Sequence, residues 1–213
     1  MIAPTKFVVL DVETDGRDNV VDLGYTVMTR KEILSHGGFL LMDIFAKKGS
    51  YYSKDYFGMA DREEICPIVF DEARSFMNEL LESLDGRVII CAYNAGFDRR
   101  ALNKTSLRHD GNFFFDRQYE WLDIWRYWAN SSPKTYSAPL TASQKFYSTT
   151  AESVYRFEFQ QPDFIEAHTG EADALIESQI LQRTLARKKR MPLNELNSQV
   201  WKDFPYKADQ VYA

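Results

Sequence analysis

Phe7-Val8-Val9-Leu10-Asp11-Val12-Glu13-Thr14-Asp15-Gly16 is the stretch on which the reading of this chain turns. It opens as an apolar, β-branched run, the composition of a strand buried on both faces. Two carboxylates then appear, separated by one valine. Side chains along a strand alternate with period two, so Asp11 and Glu13 point to the same side. Thr14-Asp15-Gly16 is turn chemistry and stops the strand where the acids sit. Like charges on one face of a core strand repel and lose hydration, and a divalent cation would remove the conflict. An ordinary strand end whose acids reach water fits this stretch alone equally well. The rest of the chain has to decide.

Working outward, the first strand spans roughly Lys6 to Val12, a second runs from Val20 to Met28, and a third from about Ile33 to Phe45. Asp15-Gly16-Arg17-Asp18-Asn19 and Thr29-Arg30-Lys31-Glu32 are turn-like connections, so the three form an antiparallel meander. Asp22, in the second strand, reads as an exposed-face or supporting residue rather than a ligand. Residues 46–66 carry Lys47, Lys48, Tyr51, Tyr52, Tyr56 and Phe57 without a period. They form either a surface loop packing its own aromatics or a loop facing single-stranded nucleic acid.

Apolar residues at helical spacing predict a helix opening at Pro67 and ending near Leu84, with Gly86 just past it. Arg87 to Ala92 is then a short buried strand, parallel to the first and joined through that helix. Tyr93 to Asp98 is a turn, followed by a helix to about Leu107. Glu120 to Asp123 forms another sheet edge leading into a helical Ile124 to Ala129. Residues 130–140 read as a loop, and Thr149-Thr150-Ala151-Glu152 has capping-box spacing for a short helix through Phe157. The last clear helix runs from near Thr169 to about Arg187, with a basic run at its end that suits the helix dipole.

The 213 residues fit one α/β domain over 1–190 with a tail, 191–213, that packs back or meets a partner such as a polymerase or another replication or repair protein. With 45% hydrophobic residues, a sizeable core is affordable. A net charge of −5 argues against a general DNA-coating role, since phosphate neutralisation alone calls for a basic surface, but not against an enzyme. Cys66 and Cys91 make neither a disulfide framework nor a zinc set. No run approaches a membrane span and no signal segment is apparent, so the expected setting is cytoplasmic and reducing.

Two more segments place acids at the ends of core elements. Asp98 follows a buried strand, with Asn94 four residues before it; capping its helix would be reason enough for an aspartate there. In Glu166-Ala167-His168-Thr169-Gly170-Glu171-Ala172-Asp173, His168 and Asp173 lie about 140° apart around a helix. They share a pocket only if His168 is in the loop and Asp173 in the first turns. His36 and His109 read as surface or packing residues.

Taken together, Asp11-Val12-Glu13-Thr14 with Gly16, then Asn94-Ala95-Gly96-Phe97-Asp98, then His168 with Asp173 resemble the DEDDh, or DnaQ-like, 3′→5′ exonucleases, which include proofreading subunits, oligoribonuclease and RNase T. The resemblance covers about residues 6–186. It implies an RNase H-like mixed sheet, an antiparallel three-strand meander plus parallel strands, flanked by helices. It also implies two Mg²⁺ or Mn²⁺ ions held by Asp11, Glu13, Asp98 and Asp173. His168 would be the general base, and Thr14, with Asn94 and Phe97, would contact substrate. Hard cations take oxygen ligands, and two of them can stabilise both the attacking and the leaving oxygen of a phosphodiester.

The chain departs from that pattern at Arg17, where relatives often carry an apolar residue near the terminal base. Asp15 is not counted as a ligand, and Asp123 is read as structural. The expected activity is metal-dependent 3′→5′ hydrolysis at single-stranded or frayed DNA ends. An exoribonuclease of RNase T or oligoribonuclease type, a non-catalytic nucleic-acid-binding module and an RNase H-like endonuclease stand as alternatives.

Overall fold

The computed structural model describes residues 3–48, 56, 58–60, 65–188, 190–196 and 199–206. β1 (Lys6–Thr14), β2 (Val20–Met28) and β3 (Ile33–Leu41) form the antiparallel meander. β4 (Cys66–Ile68) adds in parallel to β3, while β5 (Val88–Ala92) and β6 (Glu120–Asp123) extend the other side in parallel with β1. The resulting order is β4-β3-β2-β1-β5-β6, a mixed RNase H-like sheet flanked by helices. The helices with described bounds are α1 (Met42–Lys48), α2 (Phe70–Ser83), α3 (Ala95–His109), α4 (Ile124–Ala129), α5 (Ala151–Phe159) and α6 (Gly170–Arg187).

The alternation in β1 explains how both sheet faces are covered. Val8, Leu10 and Val12 join Ala73, Met77 and Leu81 of α2 and Ala101 and Leu102 of α3. Phe7 and Val9 point the other way, into Ile176, Ile180, Leu181 and Leu185 of α6 and Trp128 of α4. Asp11 and Glu13 continue this second register, so the acids arrive on the α6 face.

Several boundaries differ from expectation for identifiable reasons. β3 stops at Leu41, and the chain turns into α1, whose Asp43 Oδ1 accepts the Phe70 N–H at 2.9 Å. Pro67 sits in β4 rather than opening a helix; β4 is an edge strand, where a residue without an N–H is tolerated. α3 begins at Ala95, three residues early, because Asn94 adopts the left-handed conformation (φ 69°, ψ 48°) and ends the turn there. Asp98 is therefore inside the first turn and does not cap it. In the 46–66 segment, Tyr51, Tyr52 and Phe57 lie outside the described residues. Tyr56 is buried and donates to Asp22 at 2.9 Å, in keeping with packing rather than display.

At the end of α6, Arg187 pairs bidentately with Glu158 at 2.8 Å, and Lys188 Nζ just beyond it donates to the Asn130 carbonyl. Leu193 bridges Leu122, and Asn194 exchanges hydrogen bonds with the Trp121 backbone. Phe204 stacks on Trp128. The described part of this segment thus lies along α4 and β6. No helix among the described residues is long and apolar enough to cross a membrane.

Candidate metal and nucleic-acid site

The site forms where α6 meets β1 and β2. Asp11 pairs with Gly24 across the ladder, and Glu13 pairs with Asp22. A Cβ added at Gly24 would lie 1.8 Å from the Gly170 carbonyl carbon, and one at Gly170 would lie 2.4 Å from the Gly24 nitrogen. Only glycine at both positions lets the helix start rest directly on the sheet. Asp22, which is buried rather than on an exposed face, accepts the Gly170 N–H at 2.9 Å. That carboxylate satisfies one of the orphan donors at the helix start. Thr169 is the N-cap residue, accepting from the Ala172 N–H. Docked this way, the first two turns of α6 carry Asp173 and Glu177 into the cluster at the end of β1.

Glu13, His168 and Asp173 each offer a ligand atom, all within 4.8 Å of one another. Asp98 arrives from α3, only 2% exposed, and its carboxylate accepts the Val12 N–H and its own. Asp11 stands among Glu177, Asp98, Asp173 and Glu13. The five positions expected from sequence converge, coming from β1, the start of α3, and the loop and first turn of α6.

The electrostatics are unfavourable for acids alone. Burial, followed by the neighbouring carboxylates Glu177, Asp98, Asp173 and Glu13, pushes Asp11 well above the ordinary aspartate range. Burial, reinforced by Asp22 and Glu166, raises Glu13 to about 7. Asp173 rises to about 8 through burial, with Glu166, Glu13 and Asp22 adding to it and the His168 N–H opposing. Asp98 is pushed well up by burial against its two backbone hydrogen bonds. Among the described residues no lysine or arginine forms an ion pair with these acids. Asp98 Oδ2 and Asp173 Oδ1 are shielded from water and have no hydrogen-bond partner. Crowded carboxylates with orphaned oxygens and an all-oxygen-plus-imidazole donor set fit a hard divalent cation.

His168 lies in the loop before α6 with φ 54°, its ring about half exposed and Nδ1 3.9 Å from Glu166 Oε2. Thr14 is partly exposed beside a register shift between Glu13 and Thr14. Asn94 holds the left-handed turn before α3, and its carbonyl accepts the Phe97 N–H at 2.7 Å. Phe97 is half-buried against the core, with the Arg100 guanidinium 5.7 Å from its ring centre.

Sequence reasoning missed Glu177. It is buried, accepts the Tyr93 N–H at 3.0 Å, and sits close enough to Asp98 and Asp173 for their charges, after burial, to push it well above the glutamate range. Its spacing carried the signal: Glu177 follows Asp173 by four residues and so shares its helix face. Glu166 went unassigned too, because nothing local to a loop residue reveals what it faces.

No family model matches the chain, and no curated protein matches it in sequence. Solved structures do match. The chain is similar to a full-length 3′-exonuclease (TM-score 0.61, covering 92% of this chain and 88% of that one, 15% identity). It is also similar to Exonuclease X in complex with 5′-overhanging duplex DNA (TM-score 0.53, 86% and 93% covered, 15% identity). A third is a moderately thermophilic Exonuclease I from Methylocaldum szegediense (TM-score 0.55, 87% of this chain and 41% of that one, 15% identity). The chain therefore shares the fold of these solved 3′-exonuclease structures.

Proposed function

We propose that this protein is a metal-dependent 3′→5′ exonuclease acting on single-stranded or frayed DNA ends. The observation that carries the reading is the convergence of Asp11, Glu13, Asp98 and Asp173 from three separate elements, with two of their oxygens orphaned and His168 at the rim. A scaffold gains nothing from that arrangement, which costs stability until cations are held.

The four carboxylates would hold two Mg²⁺ or Mn²⁺ ions, which when bound supply charge stabilisation to the attacking and leaving oxygens of a phosphodiester. His168, with its ring reaching solvent, takes the proton from the attacking water. Thr14, at the end of β1, meets the 3′-terminal nucleotide, with Asn94 and Phe97 as further substrate contacts. The net charge of −5 favours short single-stranded ends over long duplexes.

The test uses 5′-labelled single-stranded DNA, single-stranded RNA and duplex with Mg²⁺, Mn²⁺ or EDTA, beside Asp11→Ala. A metal-dependent ladder shortening from the 3′ end, strongest on single-stranded DNA and absent in the variant, is expected. Faster RNA shortening would transfer the substrate to RNA. No shortening under any condition, or shortening unchanged in Asp11→Ala, would defeat the proposal.

A further inference from the structure

Beside the carboxylate cluster lies a cavity of about 570 Å³ whose lining, among the described residues, carries no charged side chain. It opens at the carboxyl ends of β5 and β6, where ligands of parallel strands characteristically bind. Tyr93, directly after β5, and Trp125, at the start of α4, form one wall, their rings stacked at 5.8 Å and 20°. The Tyr93 hydroxyl donates to the Thr149 carbonyl at 2.7 Å, fixing that ring. Trp201, from the 3₁₀ turn Val200–Asp203, also lines the cavity. Three of its lining residues hold polar atoms that are buried behind the cavity surface and have no hydrogen-bond partner: Trp125 Nε1, Asn94 Oδ1 and Thr149 Oγ1.

We propose that this cavity is a subsite for one nucleobase of the strand whose phosphate lies at the carboxylates. The inference rests on the nucleic-acid reading above. Ring faces stack on any base, so the aromatic wall of Tyr93 and Trp125 suits a nucleobase of any identity. An uncharged lining suits the base and not the phosphate. The connection to the cluster is short, because Asn94 precedes Asp98 by four residues, about 6 Å of helix rise. The Tyr93 N–H is itself held by Glu177 at 3.0 Å, so wall and cluster share a backbone segment. A volume near 570 Å³ accommodates one base with room for its sugar.

The experiment measures binding of labelled hexanucleotides to full-length Asp11→Asn protein, with one abasic position moved stepwise from the 3′ end. Wild-type cleavage of the intact hexanucleotide is followed in parallel. Affinity should fall about tenfold when the abasic position reaches the cavity and little elsewhere. Adding Trp125→Leu, or Ala142→Trp, which blocks the cavity from its exposed rim, should abolish that position dependence. The second variant guards against a folding defect in the first. Position dependence that survives both substitutions would overturn the subsite while leaving exonuclease activity standing, as would an affinity that ignores the abasic position altogether. Wild-type protein that neither binds nor shortens the intact strand would instead sink the nucleic-acid reading. A free nucleoside competing at the concentration at which the hexanucleotide binds would reassign the cavity to a free ligand and overturn the strand subsite.

Discussion

Gly24 of β2 and Gly170 of α6 touch backbone to backbone, leaving no room for a side chain on either. That contact places the helix start over Asp11, and so decides where Asp173 and Glu177 end up relative to the β1 acids. Relaxing it would separate the carboxylates that three elements bring together.

Gly24→Ala should accordingly be costly. The added methyl meets backbone, which cannot rotate away, so a loss of about 3 kcal/mol or more is expected in urea unfolding. Any protein that still folds should bind Mn²⁺ more weakly in calorimetric titration. A loss below about 1 kcal/mol with unchanged metal affinity would show that the contact is not what sets the site.

Stability should depend on pH in a direction set by the raised carboxyls. Glu13 at about 7 and Asp173 at about 8 hold protons in the folded chain that the unfolded chain has already released above about pH 4. Proton uptake thus favours folding, and metal-free stability should fall as pH rises from about 4 to about 8. In EDTA the melting temperature should be lower at pH 8 than at pH 5.5, on the order of 5 °C. Mn²⁺ should raise it far more at pH 8, where the ligands are ionised. A metal-free midpoint that rises over this interval would contradict the assignment.

His168→Ala separates base from ligand. As a general base, its loss should cut turnover about a hundredfold or more while Mn²⁺ affinity changes less than about threefold. Its ring nitrogen lies within 4.8 Å of ligand atoms of Glu13 and Asp173, so a large fall in affinity with modest loss of rate would make it a ligand instead.

Glu177 combines a structural acceptor with an unwelcome charge. Glu177→Gln keeps an acceptor for the Tyr93 N–H and removes the repulsion, so metal-free protein at pH 8 should be at least as stable as wild type. Glu177→Ala leaves that buried N–H unpaired and should cost about 1–3 kcal/mol. Equal destabilisation by both substitutions in chemical denaturation would show that the negative charge itself supports the fold.

How much of this was legible follows the range of the interactions. Strands β1, β2 and β5 and helix α6 were readable because their apolar periods and end signals are local. The placing of Pro67 was misread because an edge strand and a helix start both tolerate a missing N–H, and only the pairing of Cys66–Ile68 with β3 separates them. The left-handed Asn94 was likewise hidden, since its φ of 69° reflects the junction of β5 and α3 rather than a local glycine.

The sequence by itself determined that acids end three core elements in the order Asp11 and Glu13, Asp98, Asp173, with His168 just before the last. Order and spacing need no coordinates, because they follow from strand and helix periodicity. Tertiary structure alone decided that these acids meet, that Glu177 joins them, and that Asp22 turns inward to hold the Gly170 N–H. Those outcomes depend on contacts between residues about 150 positions apart, where two glycines permit an approach that no local pattern encodes.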